Sequence, residues 1–194
     1  MNKTALIILD LINEMIDEKG KLAGKGYATF IKQHDVIKKT NEAIAKARQK
    51  DIPIIFVRLG FSPDYRECPL SSPLFGVAKK FNALQIGTWA TEIHERINKA
   101  DSDFLILKHR VSAFYSTALE SILRNLKVET ILLGGVATDL AVQSTAREGH
   151  DRDYRVIVLE DLCGASSQED HDNAIRALSK IAVIGKSTEI IELN

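Results

Sequence analysis

The stretch GGVATDLAVQSTARE, residues 134–148, decides how the rest of the chain is read. It follows the apolar run TILL (130–133), so a short strand ends in a tight turn and passes straight into the first turns of a helix. A strand that feeds a helix is half of a β-α-β unit, and such units build parallel sheets. Working outward in both directions finds the same alternation. ALIILD (5–10), IPIIFVRL (52–59), DFLILK (103–108), TILLGGV (130–136), RVIVLED (155–161) and IAVIG (181–185) are apolar enough for strands buried on both faces. Between them FIKQHDVIKKTNEAIAKARQK (30–50), TWATEIHERIN (88–98), STALESILRNL (116–126), DLAVQSTAREGHDRD (139–153) and SQEDHDNAIRALSK (167–180) have helical patterns. In the first of these Ile37, Ile44 and Ala47 fall on one stripe, as a helix packed on a sheet requires.

The pattern predicts an α/β fold in a single domain spanning 1–194: a doubly wound, Rossmann-like, mostly parallel six-stranded sheet with helices on both faces and right-handed crossovers. The longest irregular segment, Gly60 to Gly87, contains Pro63, Pro69 and Pro73 and is expected to be a lid or an oligomer contact. The glycines of GKLAGKG (20–26) are expected to mark a mobile excursion after the first strand.

Composition narrows the function. Lys plus Arg and Asp plus Glu number 26 each, so no basic field draws the chain to nucleic acid, and a small neutral or anionic ligand is the expected partner. The opening MNKTALIILDLINEM breaks at Asp10 without a cleavage-site pattern, and no apolar window approaches a membrane span, so a cytoplasmic protein is expected. Cys68 and Cys163 lack CxxC spacing and are read as free thiols. His34, His94, His109, His150 and His171 show no ligand spacing, so no metal is expected. GxGxxG is absent and GKLAGKG lacks the phosphate-loop pattern, so no cofactor is expected.

In open α/β sheets ligands sit beyond the carboxyl ends of the strands. Asp10 stands at such an end, as a general base or as a carboxylate capping the next turn, and Lys108 stands at another, solvated or paired with Asp10. Asn13, Arg58, Phe61, Arg110 and Phe114 are the expected substrate contacts, the arginines as forks for a carboxylate or ureido oxygen. The aromatic residues among them read equally as core. Val136, Ala137, Thr138 and Leu140 form the turn, where backbone N–H groups at a helix start suit an oxyanion.

Taken together, Asp10 at the end of the first strand, Lys108 in LKHRVSAF and the turn GVATDLAV resemble the isochorismatase-like hydrolase superfamily, also called cysteine hydrolases, from Thr4 to about Ile184. The resemblance implies Asp10 as general base, Lys108 as its electrostatic partner, a cis peptide at Val136–Ala137, and a homodimer or homotetramer acting on a small molecule. It also implies a cysteine nucleophile at position 141, where this chain has Ala141. Three readings of that difference stand open: a disarmed amidase, a nucleophile-free branch such as the vinyl-ether-cleaving isochorismatases, and a binding protein on the same scaffold. Thr138 and Asp139 resemble the amidase-type turn more than that of true isochorismatases, which favours hydrolysis of a small amide or ureido C–N bond. The Asp-x-His metal pair of nicotinamidases is not matched by VRLGFSPDY (57–65).

Overall fold

The computed structural model describes residues 3–188, so the extreme ends of the expected 1–194 domain lie outside the described residues. The six apolar runs form strands β1 (Thr4–Leu9), β2 (Ile54–Leu59), β3 (Phe104–Lys108), β4 (Thr130–Val136), β5 (Arg155–Gly164) and β6 (Val183–Gly185). They make one sheet in the order β3-β2-β1-β4-β5-β6. Every pairing is parallel, where the sequence suggested a mostly parallel sheet.

Alternation along β1 divides the core. Ala5, Ile7 and Leu9 pack with residues of α5 (Leu119–Asn125), α6 (Gln143–His150) and α7 (Gln168–Leu178). Leu6 and Ile8 face the other way, onto α1 (Asn13–Ile16), α2 (Tyr27–Gln33) and α3 (Val36–Gln49). Helices therefore cover both faces, as strands apolar on both sides demand. Among the described residues no helix is long and apolar enough to cross a membrane.

Three segments depart from expectation. The helical pattern 30–50 is two helices, α2 and α3, because Asp35 adopts a left-handed backbone (φ 53°) that an α-helix cannot pass through. The expected helix 88–98 is only a short 3₁₀ turn, Trp89–Thr91. Its remaining backbone bonds to the chain leaving β1: the Asn13 amide donates to the Glu92 carbonyl at 3.0 Å and the His94 amide to the Leu11 carbonyl at 2.9 Å. The 60–87 segment contains a short helix, α4 (Gly76–Lys80), and a satellite core in which Phe61, Tyr65, Phe75 and Leu84 are buried together.

The strand order reverses direction between β1 and β4, which places a crevice at their carboxyl ends. Close approach there depends on Gly135. Its φ is +125°, and a Cβ would lie 2.0 Å from the Leu9 carbonyl oxygen. The β4–β5 register also shifts between Leu133 and Gly135, an irregularity of the kind that re-aims a chain beside a site.

Candidate active site

Asp10 is the first residue after β1. Its amide donates to the Val57 carbonyl at 2.8 Å and its backbone is left-handed (φ 52°), which turns the chain out of the sheet at the crevice. Lys108 ends β3, two strands away, and its side chain spans β2 to bring Nζ within 2.7 Å of Asp10 Oδ2. Both side chains are withdrawn from solvent, at 1% exposure for Lys108 and 5% for Asp10. The Lys108 ammonium also donates to the carbonyls of Arg110 (3.2 Å) and Val111 (3.0 Å). Its three N–H groups are therefore occupied, so it acts as a fixed charge and not as a substrate-binding donor. Burial pushes the Asp10 carboxyl above the ordinary 3.8, and the Lys108 charge and hydrogen bond pull the other way without cancelling that rise. Asp10 Oδ1 is buried without a hydrogen-bond partner of good geometry among the described residues, although the Leu59 amide lies near enough to the carboxylate to help lower its pKa.

Across the crevice β4 runs into a π-helical turn, Thr138–Val142, that leads into α6. The Val136–Ala137 peptide is cis. The amides of Leu140 and Val142 both donate to the Ala137 carbonyl at 3.1 Å, which winds the turn wider than an α-helix. Thr138 is fully buried with Oγ1 3.0 Å from His171 Nδ1, so this hydroxyl ties the turn to α7.

Asp10, Lys108, Val136, Ala137, Leu140 and Ala141 line one pocket of about 600 Å³, its open mouth included. The other walls are almost wholly apolar, with Met15, Leu22, Leu74, Phe75, Leu84 and Val111 prominent. Lys25 and the Tyr27 ring complete the lining. Burial pushes the Tyr27 hydroxyl up, with Asp139 and Asp170 adding to it.

Five expected substrate contacts lie elsewhere. Asn13 donates to the Trp89 carbonyl at 2.8 Å. Arg58 donates to the Thr91 carbonyl at 3.2 Å, and Arg110 to the carbonyls of Glu67 (3.0 Å) and His109 (2.7 Å). These polar groups bind loop carbonyls. Phe61 is fully buried in the satellite core, and Phe114 stacks on Tyr154 beneath Arg152. Conversely, the pocket walls from 20–26 and 74–84 were not legible as such. Leu22 and Ala23 are buried and Leu22 and Lys25 line the pocket, so the excursion GKLAGKG packs against the site. Glu14 explains the arrangement: this buried carboxylate accepts from the Lys21 amide at 2.5 Å and the Leu84 amide at 3.3 Å, tying both walls together. The adjacent glycines and prolines were the signal that these segments turn sharply.

The two thiols stand apart from the pocket lining. Cys163 is buried in β5, donates to the Leu159 carbonyl at 3.3 Å, and is pushed far up by desolvation. Cys68 donates to the Phe75 carbonyl at 3.5 Å and is also raised by burial. At Cys68 burial outweighs the lowering influence of Arg110 and Lys79, so neither thiol is poised as a thiolate. Among the described residues no group of three or more His, Cys, Asp or Glu is placed to hold a metal ion.

A doubly wound parallel sheet with a buried Asp–Lys pair facing a turn at the switch point defines an α/β protein with a largely apolar pocket at the carboxyl ends of its strands. The chain matches the isochorismatase domain over residues 4–189, and it belongs to the isochorismatase family. An uncharacterised isochorismatase family protein of Escherichia coli, YecD, is 31% identical over 97% of this chain and 94% of its own length. The ureidoacrylate amidohydrolase RutB of Methylorubrum extorquens is 31% identical over 81% of this chain and 68% of its own. Among solved structures, N-carbamoylsarcosine amidase from Thermoplasma acidophilum superposes with a TM-score of 0.74 at 26% identity, covering 95% of this chain and 96% of that one. An isochorismatase family protein from Desulfovibrio vulgaris shares the fold with a TM-score of 0.87 at 21% identity, covering 100% and 98% of the two chains.

Proposed function

We propose that this chain hydrolyses a C–N bond of a small amide or ureido compound, with Asp10 as the proton-transferring group and Lys108 as its fixed partner. The observation that carries the reading is the 2.7 Å contact between two buried, oppositely charged side chains on the wall of an otherwise apolar pocket. A carboxyl raised by burial is a better base than one in water, and its proton-transfer power near neutral pH rises accordingly. The likeness to RutB and to N-carbamoylsarcosine amidase supports C–N hydrolysis over other chemistries of such a pocket. Thiolate attack from position 141 is closed, because that residue is Ala141.

A second reading is favoured by the same raised carboxyl. An Asp10 that holds its proton would serve as acid for cleavage of a vinyl ether, a reaction that needs no side-chain nucleophile. A binding protein on the same scaffold is less well supported, because it would have no use for a buried ion pair at its ligand site.

The test is a panel of small amides, ureidoacrylate, N-carbamoylsarcosine and isochorismate incubated with the purified chain, following ammonia and pyruvate separately. Ammonia from an amide or ureido compound supports the first reading. Pyruvate from isochorismate alone refutes it in favour of the second.

A further inference from the structure

The pocket contains one atom whose bonding is incomplete. Asp10 Oδ2 is held by Lys108 at 2.7 Å, while Oδ1 of the same buried carboxylate has no hydrogen-bond partner of good geometry among the described residues. A buried acceptor left so is uncommon in a folded chain and marks a place that a ligand completes. Among the side chains lining the pocket, those with a heteroatom able to attack a carbonyl are Lys25, Tyr27, Lys108 and Asp10 itself. Lys108 has its three N–H groups engaged. Lys25 is exposed at the rim, remote from the buried carboxylate in solvent access. The Tyr27 hydroxyl is made a weaker acid by burial and so is harder to convert to a phenolate. Ala141 contributes a methyl group to the pocket from the last part of the turn, and a methyl leaves room there that a longer side chain would occupy.

We propose that the nucleophile in this chain is a water molecule seated beside Ala141 and deprotonated by Asp10 Oδ1. The inference rests on the C–N hydrolase reading above and assigns its attacking group. As the water oxygen bonds to the substrate carbonyl carbon, one water proton passes to Oδ1 and the carbonyl π pair moves onto the carbonyl oxygen. When that oxygen re-forms its double bond, the C–N bond breaks and Asp10 returns the proton to the departing nitrogen. One water and one amide give one acid and one amine or ammonia. Asp10 ends as it began, nothing is oxidised or reduced, and no acyl group is ever attached to the protein. The apolar walls suit this course, since Asp10 is withdrawn from solvent and few other polar groups of the lining compete with it for a water.

The experiment is a single turnover in ¹⁸O-water with the protein in excess over each carboxamide and ureido compound of the panel; the quenched protein is weighed by mass spectrometry in every case and the acid product for the carboxamides, because a ureido carbon leaves as carbon dioxide that exchanges oxygen with water. The Ala141→Cys chain is run in parallel. The expected result is product carrying one ¹⁸O from the first turnover, protein of unchanged mass, and an acyl-protein species appearing only in the Ala141→Cys chain. An ¹⁶O product with ¹⁸O gained by the peptide containing Asp10 would mean direct carboxylate attack, and an acyl adduct on the unaltered chain would mean another side-chain nucleophile. Either overturns the proposal. Turnover by Ala141→Cys alone would overturn it while leaving the C–N hydrolase reading intact. Turnover by neither chain, with any amide or ureido compound of the panel, would refute that reading and the inference with it.

Discussion

Replacing Lys108 by methionine keeps the length and the apolar stem of the side chain and removes the buried ammonium. The structure sets what this costs. The Arg110 and Val111 carbonyls lose their donor, at about 1 kcal/mol each. Asp10 becomes an uncompensated buried carboxylate, and breaking such a pair costs about 3–5 kcal/mol. The carboxyl can escape part of that cost by keeping its proton, so the loss depends on pH. Burial already holds the folded carboxyl above 3.8, and removing Lys108 takes away the influence that lowers it. A group whose folded value exceeds its unfolded value holds a proton in the folded state that the unfolded chain has released. Stability then falls as pH rises, by up to ~1.4 kcal/mol per pH unit, from the unfolded value up to the folded one. Relative to the unaltered chain, Lys108→Met is expected to lose about 2 kcal/mol near pH 4 and about 4–6 kcal/mol by pH 8. Urea denaturation followed by circular dichroism at both pH values measures this. Adding Asp10→Asn in the same background should flatten the pH dependence. An equal deficit at the two pH values, or one below about 1 kcal/mol at pH 8, would refute the buried-pair reasoning.

Other consequences are as specific. Gly135→Ala forces a Cβ against the Leu9 carbonyl at a position with φ +125°, and it should destabilise the fold by about 3 kcal/mol or more in the same denaturation assay. Glu14→Gln keeps one acceptor for two amide donors, so it should cost about 1–2 kcal/mol and raise KM more than it lowers kcat, with faster proteolysis within 18–26 as the structural readout. The acid limb of kcat/KM requires Asp10 without its proton, so activity should fall away at a pH above the ordinary carboxyl value of 3.8, and a midpoint at or below that value would contradict the effect of burial. Cys163→Ala should leave hydrolysis unchanged, and thiol titration should label neither cysteine before unfolding.

What the sequence shows of this molecule follows from how local the controlling physics is. The bounds of β4 were legible to the residue, because a run apolar on both faces leaves few alternatives, whereas the π-helical winding of the turn after it was not. The Asp10–Lys108 partnership was legible because both stand at strand ends that a parallel sheet must gather on one side. The 88–98 segment misleads because Trp89, Ile93 and Ile97 have helical spacing, yet the Glu92 carbonyl and the His94 amide find partners on the chain leaving β1, and only isolated turns close within the segment. Tertiary pairing overrode a weak local preference. The loop bonds of Arg58 and Arg110 were not legible for a related reason: an arginine near a strand end can reach a ligand or a loop carbonyl, and the path of the loops at Thr91 and Glu67 sets these contacts. The inward fold of GKLAGKG depends on Gly26 at φ +104°, where a Cβ would lie 2.0 Å from the Ser166 carbonyl oxygen. That neighbour is 140 residues away in sequence, and no pattern within the loop announces it.

The central claim is that Asp10 performs the proton transfer of a hydrolytic reaction in this pocket. The most direct measurement is kcat/KM for ammonia release from ureidoacrylate by the unaltered chain and by Asp10→Asn, with circular dichroism to show that both are folded. The predicted result is turnover by the unaltered chain that Asp10→Asn lowers about 10²–10⁴-fold. Equal rates from the two folded proteins would contradict it.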